Sequence, residues 1–248
     1  MAAALFALPL AGLAWRAPWT DAWDQLRASE AVDALKLSMV TSLSATVVAL
    51  VLGVPLAWVQ ARTNYPGQRV VRTVTTLPLV LPPVVGGVAL LLAFGQRGLA
   101  GRPLDAVGVH LPFTTAGAVA AEAFVAMPFL VLTLEAAFAS VDPGLEDAAR
   151  TLGAGPAVVF WRVTLPLVRP SLVAGAVLCW ARALGEFGAT ITFAGNYPKI
   201  TQTLPLFIYL KFESPQADAA IVLSLVLLAM SGAVLIGLRD RWLSPLGR

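Results

Sequence analysis

The chain has 248 residues, of which 58% are hydrophobic and 12% are charged, and its mean hydropathy is +0.80. Soluble domains are about 45–50% apolar and about 25% charged, so this composition excludes an ordinary soluble domain and predicts one polytopic membrane unit. The net charge of +3 is spread along the chain without a basic run. This distribution argues against nucleic-acid binding and fits loops that face anionic lipid.

The chain begins with a short apolar stretch, 1–15, followed by a mixed-charge loop, 16–36. A spanning helix needs about 20 residues, and the range begins near about 17. The stretch lacks the basic start and the cleavage site of a signal peptide. We interpret it as a short first span, with the apolar core of a signal peptide as the alternative. Trp15, Trp19 and Trp23 are typical of an interfacial aromatic belt.

Residues 37–59 carry no charge and form the second predicted span, in which small residues favour close helix contact. The connection that follows contains three arginines, Arg62, Arg69 and Arg72, and no acidic residue. Short loops with this bias are typically cytoplasmic.

The third predicted span, 73–95, is interrupted by prolines in the sequence Leu77 to Pro83. A helix broken at membrane depth is tolerated where its free backbone groups face protein or a water-filled path. Pro82 and Pro83 are therefore candidate pathway residues, and a simple packing kink is the alternative.

Two further predicted spans, 112–134 and 171–195, carry charged residues. Glu122 suggests a functional carboxylate, since intramembrane acids usually mark a site, but a position near the lipid headgroups is the alternative. Arg182 and Glu186 share one helix face at i and i+4. We interpret them as a structural ion pair, with direct contact to a substrate as the alternative.

The longest polar interruption in the second half of the chain is the stretch 142–170. Asp142 and Pro143 predict a helix start, and Gly153 predicts its end. Between them, one face carries apolar residues at i, i+3, i+4 and i+7, namely Leu145, Ala148, Ala149 and Leu152. This pattern predicts a short amphipathic docking helix between two membrane spans. An external segment, 196–218, and a sixth span, 219–238, follow, so that both termini lie on the same side as this stretch.

The sequence contains no nucleotide-binding GxxxxGK[ST] loop and no HExxH, CxxC or GxSxG motif. It has one histidine, His110, interpreted as an interfacial residue, and one cysteine, Cys179, interpreted as a small apolar side chain of a span. We therefore predict no catalytic residue and no metal site. A transport subunit is favoured over a membrane enzyme, with a channel or a carrier driven by another energy source as the alternative class.

The docking stretch resembles the EAA loop of ABC importer permeases, EAA-x3-G-x9-I-x-L-P. Asp147-Ala148-Ala149 is followed at the family's spacing by Gly153 and by Val163-Thr164-Leu165-Pro166, with Asp147 and Val163 in place of Glu and Ile. Together with ALGEFGAT and TQTLPL, it is similar to the permease of a molybdate ABC importer, with sulfate/thiosulfate or tungstate permeases as alternatives. The resemblance implies that this loop contacts an ATPase subunit through Glu146, Asp147, Ala148, Ala149, Leu152, Gly153, Leu165 and Pro166.

The same resemblance implies an all-α type I permease fold with six transmembrane helices. It predicts a first span and loop, 1–36, a permease domain, 37–238, and a cytoplasmic tail, 239–248. The implied partners are a second copy of the chain, two cytoplasmic ABC ATPases that bind ATP and Mg²⁺, and an extracytoplasmic oxyanion-binding protein. The expected location is the bacterial inner membrane, with cytoplasmic termini and with no cofactor in this chain.

An oxyanion that crosses such a permease needs hydroxyls, backbone N–H groups and weak positive potential, because a tight site would trap it. The hydroxyl candidates in the predicted spans are Ser42, Ser44, Thr190 and Thr192. Bonding between helices is the alternative role for each of them.

Overall fold

The computed structural model describes residues 2–242, apart from the side chains at 2, 235 and 238–242. In this part of the chain all regular structure is helical, as the sequence predicts. Four of its helical segments are long and apolar enough to cross a membrane, and two shorter apolar helices, Ala3–Trp15 and Pro83–Phe94, accompany them. The chain is therefore a multi-pass membrane protein. Residues 243–248 of the predicted tail lie outside the described residues.

The helices are named here in chain order. They are α1 (Ala2–Trp15), α2 (Ala22–Arg27), α3 (Ser29–Arg62), α4 (Gln68–Thr76), α5 (Pro83–Phe94), α6 (Gly101–Ala106), α7 (Thr115–Ser140), α8 (Pro143–Thr151), α9 (Pro156–Val159), α10 (Leu165–Leu184), α11 (Gly188–Phe193), α12 (Leu204–Phe212) and α13 (Ala217–Trp242). A 3₁₀ turn, Leu77–Leu79, joins α4 towards α5, and a π-helical turn, Phe160–Thr164, joins α9 to α10.

Two long helices, α3 and α7, run side by side in the same direction. Thr41 bonds to Glu122 near their starts, and Arg62 bonds to the carbonyl of Val141 where both helices end. Small residues permit this close contact, as expected for helices in a membrane. At Gly53, for example, an added Cβ would lie 3.2 Å from a methyl group of Val131.

The helix α10 runs in the opposite direction and completes the main core. Trp180, near its end, donates a hydrogen bond to Ser42 near the start of α3. At the other end, the ring of Phe160 packs edge-on against Trp58. The buried apolar side chains between the three helices include Ala45, Ala49, Ala57, Ala126, Leu130, Leu134, Phe138, Val168 and Cys179.

The predicted third span is broken where its prolines lie. The helix α4 passes into the 3₁₀ turn at Leu77–Leu79, and α5 begins only at Pro83. Pro82 and Pro83 cannot donate the backbone hydrogen bonds that a continuous helix needs. The prediction of a broken helix at this position is confirmed.

The fifth span differs from the predicted bounds 171–195. The helix α10 begins earlier, at Leu165, and ends at Leu184, and a separate short helix, α11, starts at Gly188. The side chain of Glu186 accepts a hydrogen bond from the backbone N–H of Ala189 at 2.9 Å. The carboxylate thus accepts a hydrogen bond from a backbone N–H in the first turn of α11. Such a side-chain bond stabilises the end of one helix and the start of the next in place of a continuous helix.

Two elements lie at the end of the molecule opposite α8. The predicted loop 16–36 is partly helical, since it contains α2 and the first turns of α3, which begins at Ser29. The predicted external segment 196–218 contains α12, whose Leu204 and Phe207 are buried against Ala31, Ala34 and Leu223. This segment is therefore partly folded into the helical core.

Candidate functional site

The docking stretch forms the short helix that the sequence predicts. Asp142 accepts a hydrogen bond from the backbone N–H of Gly144 at 2.9 Å, and Pro143 occupies the first helical position. At the other end, Gly153 has φ of +87°, the left-handed conformation that favours glycine. The backbone N–H groups of Gly153 and Ala154 bond to the carbonyls of Arg150 and Ala149 at 2.9 and 3.1 Å. Both ends of α8 are thus capped, which fixes its length.

The predicted apolar face of α8 points away from the rest of the chain. Leu145 is 49% exposed and Leu152 is 89% exposed. Ala148 is also exposed, and Ala149 is half-buried. Apolar side chains presented in this way on a short capped helix form a surface suited to a protein partner. The sequence left open whether this face meets a partner or the chain's own helices, and in the structure the chain's own helices leave most of it exposed.

The two acidic residues of α8 lie in different surroundings. The side chain of Asp147 is 67% exposed and pairs with Arg150 of the same helix at 2.7 Å. Glu146 is buried, and its Oε1 lies 3.1 Å from a guanidinium nitrogen of Arg62 and 2.8 Å from the hydroxyl of Thr164. One acidic residue therefore faces solvent, and the other holds α8 against the membrane-spanning helices.

The remaining residues of the EAA-like motif lie at the start of α10. Leu165 is half-buried and Pro166 is exposed in its first turn. The π-helical turn before them brings the hydroxyl of Thr164 into the protein interior, where it meets Glu146. The segment from Asp147 to Pro166 thus connects the exposed helix α8 to a membrane-spanning helix, α10.

The two interrupted spans meet one another through glycines. A Cβ built on Gly188 would lie 2.9 Å from the Cβ of Pro83, and one built on Gly87 would lie 2.8 Å from the carbonyl oxygen of Ala189. These distances leave no room for a side chain at either glycine. The pathway candidate Pro83 therefore lies next to Gly188 of α11, although Pro83 and Pro82 are both exposed.

The charged pair predicted in the fifth span is present. A guanidinium nitrogen of Arg182 lies 2.6 Å from Oε2 of Glu186, and the side chain of Glu186 is 1% exposed. Its other oxygen bonds to the N–H of Ala189. Glu186 therefore joins α10 to α11 by two polar contacts, and the arginine, at 28% side-chain exposure, keeps part of its charge accessible.

Glu122 is buried between α3 and α7 rather than exposed at the membrane surface. The hydroxyl of Thr41 donates to its Oε1 at 2.8 Å, and the residue is 2% exposed. Its other oxygen has no hydrogen-bond partner among the described residues. The sequence contained the carboxylate but gave no signal for its partner, which lies 81 positions away.

The structure does not bring the four hydroxyl candidates into one cluster. Ser42 is fully buried and accepts the indole N–H of Trp180 at 3.0 Å, while Ser44 is half-buried. Thr192 donates to the carbonyl of Gly188, one turn earlier in α11. Thr190 is fully buried, and its hydroxyl has no hydrogen-bond partner in the described part of the chain. Their role in a pathway stays a prediction.

Sequence reasoning missed the contacts that connect distant parts of the chain. Arg62 was counted only as a loop charge, yet it bonds to both Glu146 and the carbonyl of Val141. Arg72 and Glu135 likewise form an ion pair between α4 and α7. No signal in the sequence pointed to the contact of Arg62 with Glu146, because the two residues lie 84 positions apart.

The sequence of the chain is similar to a known family of transport proteins. The sequence family described as binding-protein-dependent transport system inner membrane component matches residues 34–246. The molybdenum transport system permease protein ModB of Mycobacterium bovis is 47% identical over 241 residues, covering 97% of this chain and 90% of the relative. The sulfate transport system permease protein CysT of Salmonella typhimurium is 33% identical, covering 90% of this chain and 82% of the relative.

A solved structure shares the fold at low sequence identity. It is a crystal structure of a bacterial ABC transporter involved in the import of the acidic polysaccharide alginate. The match has a TM-score of 0.72 at 18% identity and covers 94% of this chain and 88% of the matched chain. The likeness shows that the described helices adopt the fold of an ABC importer permease.

Proposed function

Since the chain belongs to the family of binding-protein-dependent transport system inner membrane components, we propose that it is the transmembrane subunit of an ATP-driven importer whose substrate is molybdate. The substrate follows from the relatives, among which the molybdenum permease is 47% identical and the sulfate permease 33% identical. Sulfate, thiosulfate and tungstate have similar shape and charge and are the competing substrates.

The observation that carries the proposal is the capped helix α8 with its exposed apolar residues. Leu152 is 89% exposed and stands next to Gly153, where the chain turns back towards the membrane. Two cytoplasmic ATPase subunits, which bind ATP and Mg²⁺, would each hold one such helix in a dimer of this chain. This assignment places α8 in the cytoplasm of a bacterial cell, together with Arg69 and Arg72, in agreement with the positive-inside rule.

The transport step follows from the arrangement of the helices. The path would lie at the interface of two copies, near the interrupted spans formed by α4 with α5 and by α10 with α11. ATP-driven closure of the ATPases would displace both α8 helices and switch the dimer between inward-open and outward-open states. A binding protein would deliver the anion at the opposite end, near the segment that contains α12. Pathway groups would bind the anion weakly, because strong binding would stop its passage.

The proposal is tested by reconstituting the chain in vesicles with its ATPase and an oxyanion-binding protein. We expect ATP-dependent uptake of molybdate and stimulation of hydrolysis by the molybdate-loaded binding protein. Parallel assays with sulfate and tungstate distinguish the competing substrates. Uptake that is equally fast without ATP would contradict the importer and favour a channel, and preferential uptake of sulfate would contradict the choice of molybdate.

A further inference from the structure

Glu146 makes contacts that its position in the sequence does not suggest. It lies on the exposed helix α8, yet the residue is only 6% exposed. Its Oε1 accepts hydrogen bonds from the guanidinium of Arg62 at 3.1 Å and from the hydroxyl of Thr164 at 2.8 Å. Its Oε2 lies 3.4 Å from the guanidinium of Arg150. One carboxylate therefore contacts the last residue of α3, the turn that leads into α10, and its own helix.

We propose, on the premise that the chain is an importer permease, that Glu146 is a positioning residue that transmits the movement of α8 to the spans. Arg62 carries the displacement to α3, and Thr164 carries it to α10. The residue acts within the permease and does not contact the ATPase.

The burial of Glu146 distinguishes its proposed role from the roles of its neighbours on α8. The ATPase-facing candidates Leu152 and Asp147 are exposed, whereas Glu146 is covered by the permease itself. Charge-assisted hydrogen bonds are shorter and stronger than neutral ones, and a shielded network of them fixes the relative position of its members. The bonds of Glu146 therefore define the orientation of α8 on the spans.

Arg62 strengthens this attachment because it contacts both Glu146 of α8 and the connection between α7 and α8. The same terminal nitrogen that meets Glu146 also donates to the carbonyl of Val141 at 3.1 Å, just before the start of α8. The side chain of Arg62 is 15% exposed, so water screens the pair only weakly. The beginning and the first turn of α8 are thus both fixed to the end of α3, and the helix moves with that end as one body.

The first test measures the number of anions imported per ATP hydrolysed by the full complex in vesicles. Glu146→Gln keeps the size of the side chain and an acceptor for Thr164 but removes the charge that pairs with Arg62. We expect this variant to retain its ATPase and to hydrolyse ATP, while the ratio falls by roughly 10-fold, within the range of coupling between contacting residues. The matched control is Glu135→Gln, which breaks the other arginine–glutamate pair, with Arg72, away from α8. Its ratio should stay unchanged.

A double-mutant cycle tests whether Arg62 and Glu146 act through each other. If they do, Arg62→Ala combined with Glu146→Ala lowers the ratio no further than either single substitution. If the double variant lowers the ratio by the product of the two single effects, the proposal is overturned. It is also overturned if uptake and hydrolysis fall in proportion in Glu146→Gln. An unchanged ratio in Glu146→Gln would overturn it as well.

Hydrogen exchange of the full-length permease in membranes provides a readout that needs neither transport nor a partner. We expect the backbone amides of α8 to exchange roughly 10-fold faster in Glu146→Gln, because local opening follows the loss of tertiary contacts. Thr164→Val, which keeps the charge pair, should give a smaller increase and replaces Glu146→Gln if that protein does not fold. Unchanged protection of α8 in the folded variant would overturn the proposal. A wild-type protein that imports no oxyanion would instead overturn the proposed function.

Discussion

The hydroxyl of Ser38 accepts a hydrogen bond from the backbone N–H of Leu204 at 2.6 Å, although the two residues are 166 positions apart. Both residues are buried, Ser38 at 1% exposure and Leu204 at 0%. The bond satisfies the N–H at the first turn of α12, which has no carbonyl partner within its own helix. It thereby joins the segment on the side of the proposed binding protein to α3, the same helix that ends at Arg62.

Replacing Ser38 with alanine should destabilise the permease, because the buried N–H of Leu204 loses its acceptor. An unsatisfied buried group costs about 1–3 kcal/mol. Thermal unfolding in detergent measures the change. Ser140→Ala is the matched control, since its exposed hydroxyl bonds only to a carbonyl of its own helix. Equal unfolding temperatures for the two variants would contradict the importance of the Ser38 bond.

Gly87→Ala should destabilise the contact between α5 and α11. The added Cβ would lie 2.7 Å from the Cβ of Thr192 and 2.8 Å from the carbonyl oxygen of Ala189, and the backbone atom cannot give way easily. Overpacking of this kind costs about 1–3 kcal/mol. Unfolding temperature and uptake should both fall. Gly232→Ala in α13 is the control, because its Cβ would meet nothing within 4 Å. Normal uptake by Gly87→Ala would contradict this prediction, because it would show that transport does not need the close contact between α5 and α11.

Leu152→Asp should weaken the attachment of the ATPase without unfolding the permease. The side chain is 89% exposed, so its replacement leaves the permease core unchanged. Placing a charge in a partner's apolar groove should cost at least about 2 kcal/mol, as at a binding hot spot. Co-purification of the ATPase measures the effect. Leu99→Asp is the control, being 93% exposed at the opposite end of the molecule. Full recovery of the ATPase with Leu152→Asp would contradict the assignment of this face.

Gly153→Val should abolish ATP-coupled uptake, because Gly153 holds φ at +87°. A β-branched residue is strained in this conformation, where even simpler side chains cost about 1–2 kcal/mol. Space is not the limiting factor, since an added Cβ would meet nothing within 4 Å.

The control for this prediction is Gly155→Val, since Gly155 has φ of −69° and ψ of 162°, which other residues adopt without strain. Gly153→Asn should lie between the two variants, because asparagine tolerates the left-handed region. Uptake by Gly153→Val equal to that of Gly155→Val would show that the turn after α8 does not have to be fixed.

The local features of the site could be predicted from the sequence. Asp142, Pro143 and Gly153 define the ends of α8 because capping depends on residues within one turn. The interruption at Pro82 and Pro83 follows in the same way from the missing N–H of proline. The pairing of Arg182 with Glu186 was predicted from helical spacing and is present at 2.6 Å, although α10 ends at Leu184 and Glu186 lies in the turn before α11.

The outward direction of the apolar face of α8 could not be predicted, because periodicity identifies a face but not what covers it. The break of α10 at Leu184 was also missed, since Glu186 was considered only as a partner of Arg182. Its second bond, to the N–H of Ala189, lies on a short helix that no apolar period reveals.

By itself, the sequence determined the membrane class, the all-helical composition, the caps of α8 and the resemblance to importer permeases. These follow from hydropathy, local backbone preference and motif spacing, all of which act over a few residues or over composition. Only the tertiary structure decided that Glu146 faces Arg62 and Thr164 while Asp147 faces solvent. The two acidic residues are neighbours in the chain, and which one is buried depends on the rotation of α8 against α3 and α10. That rotation is set by contacts between residues up to 84 positions apart, such as Arg62 with Glu146.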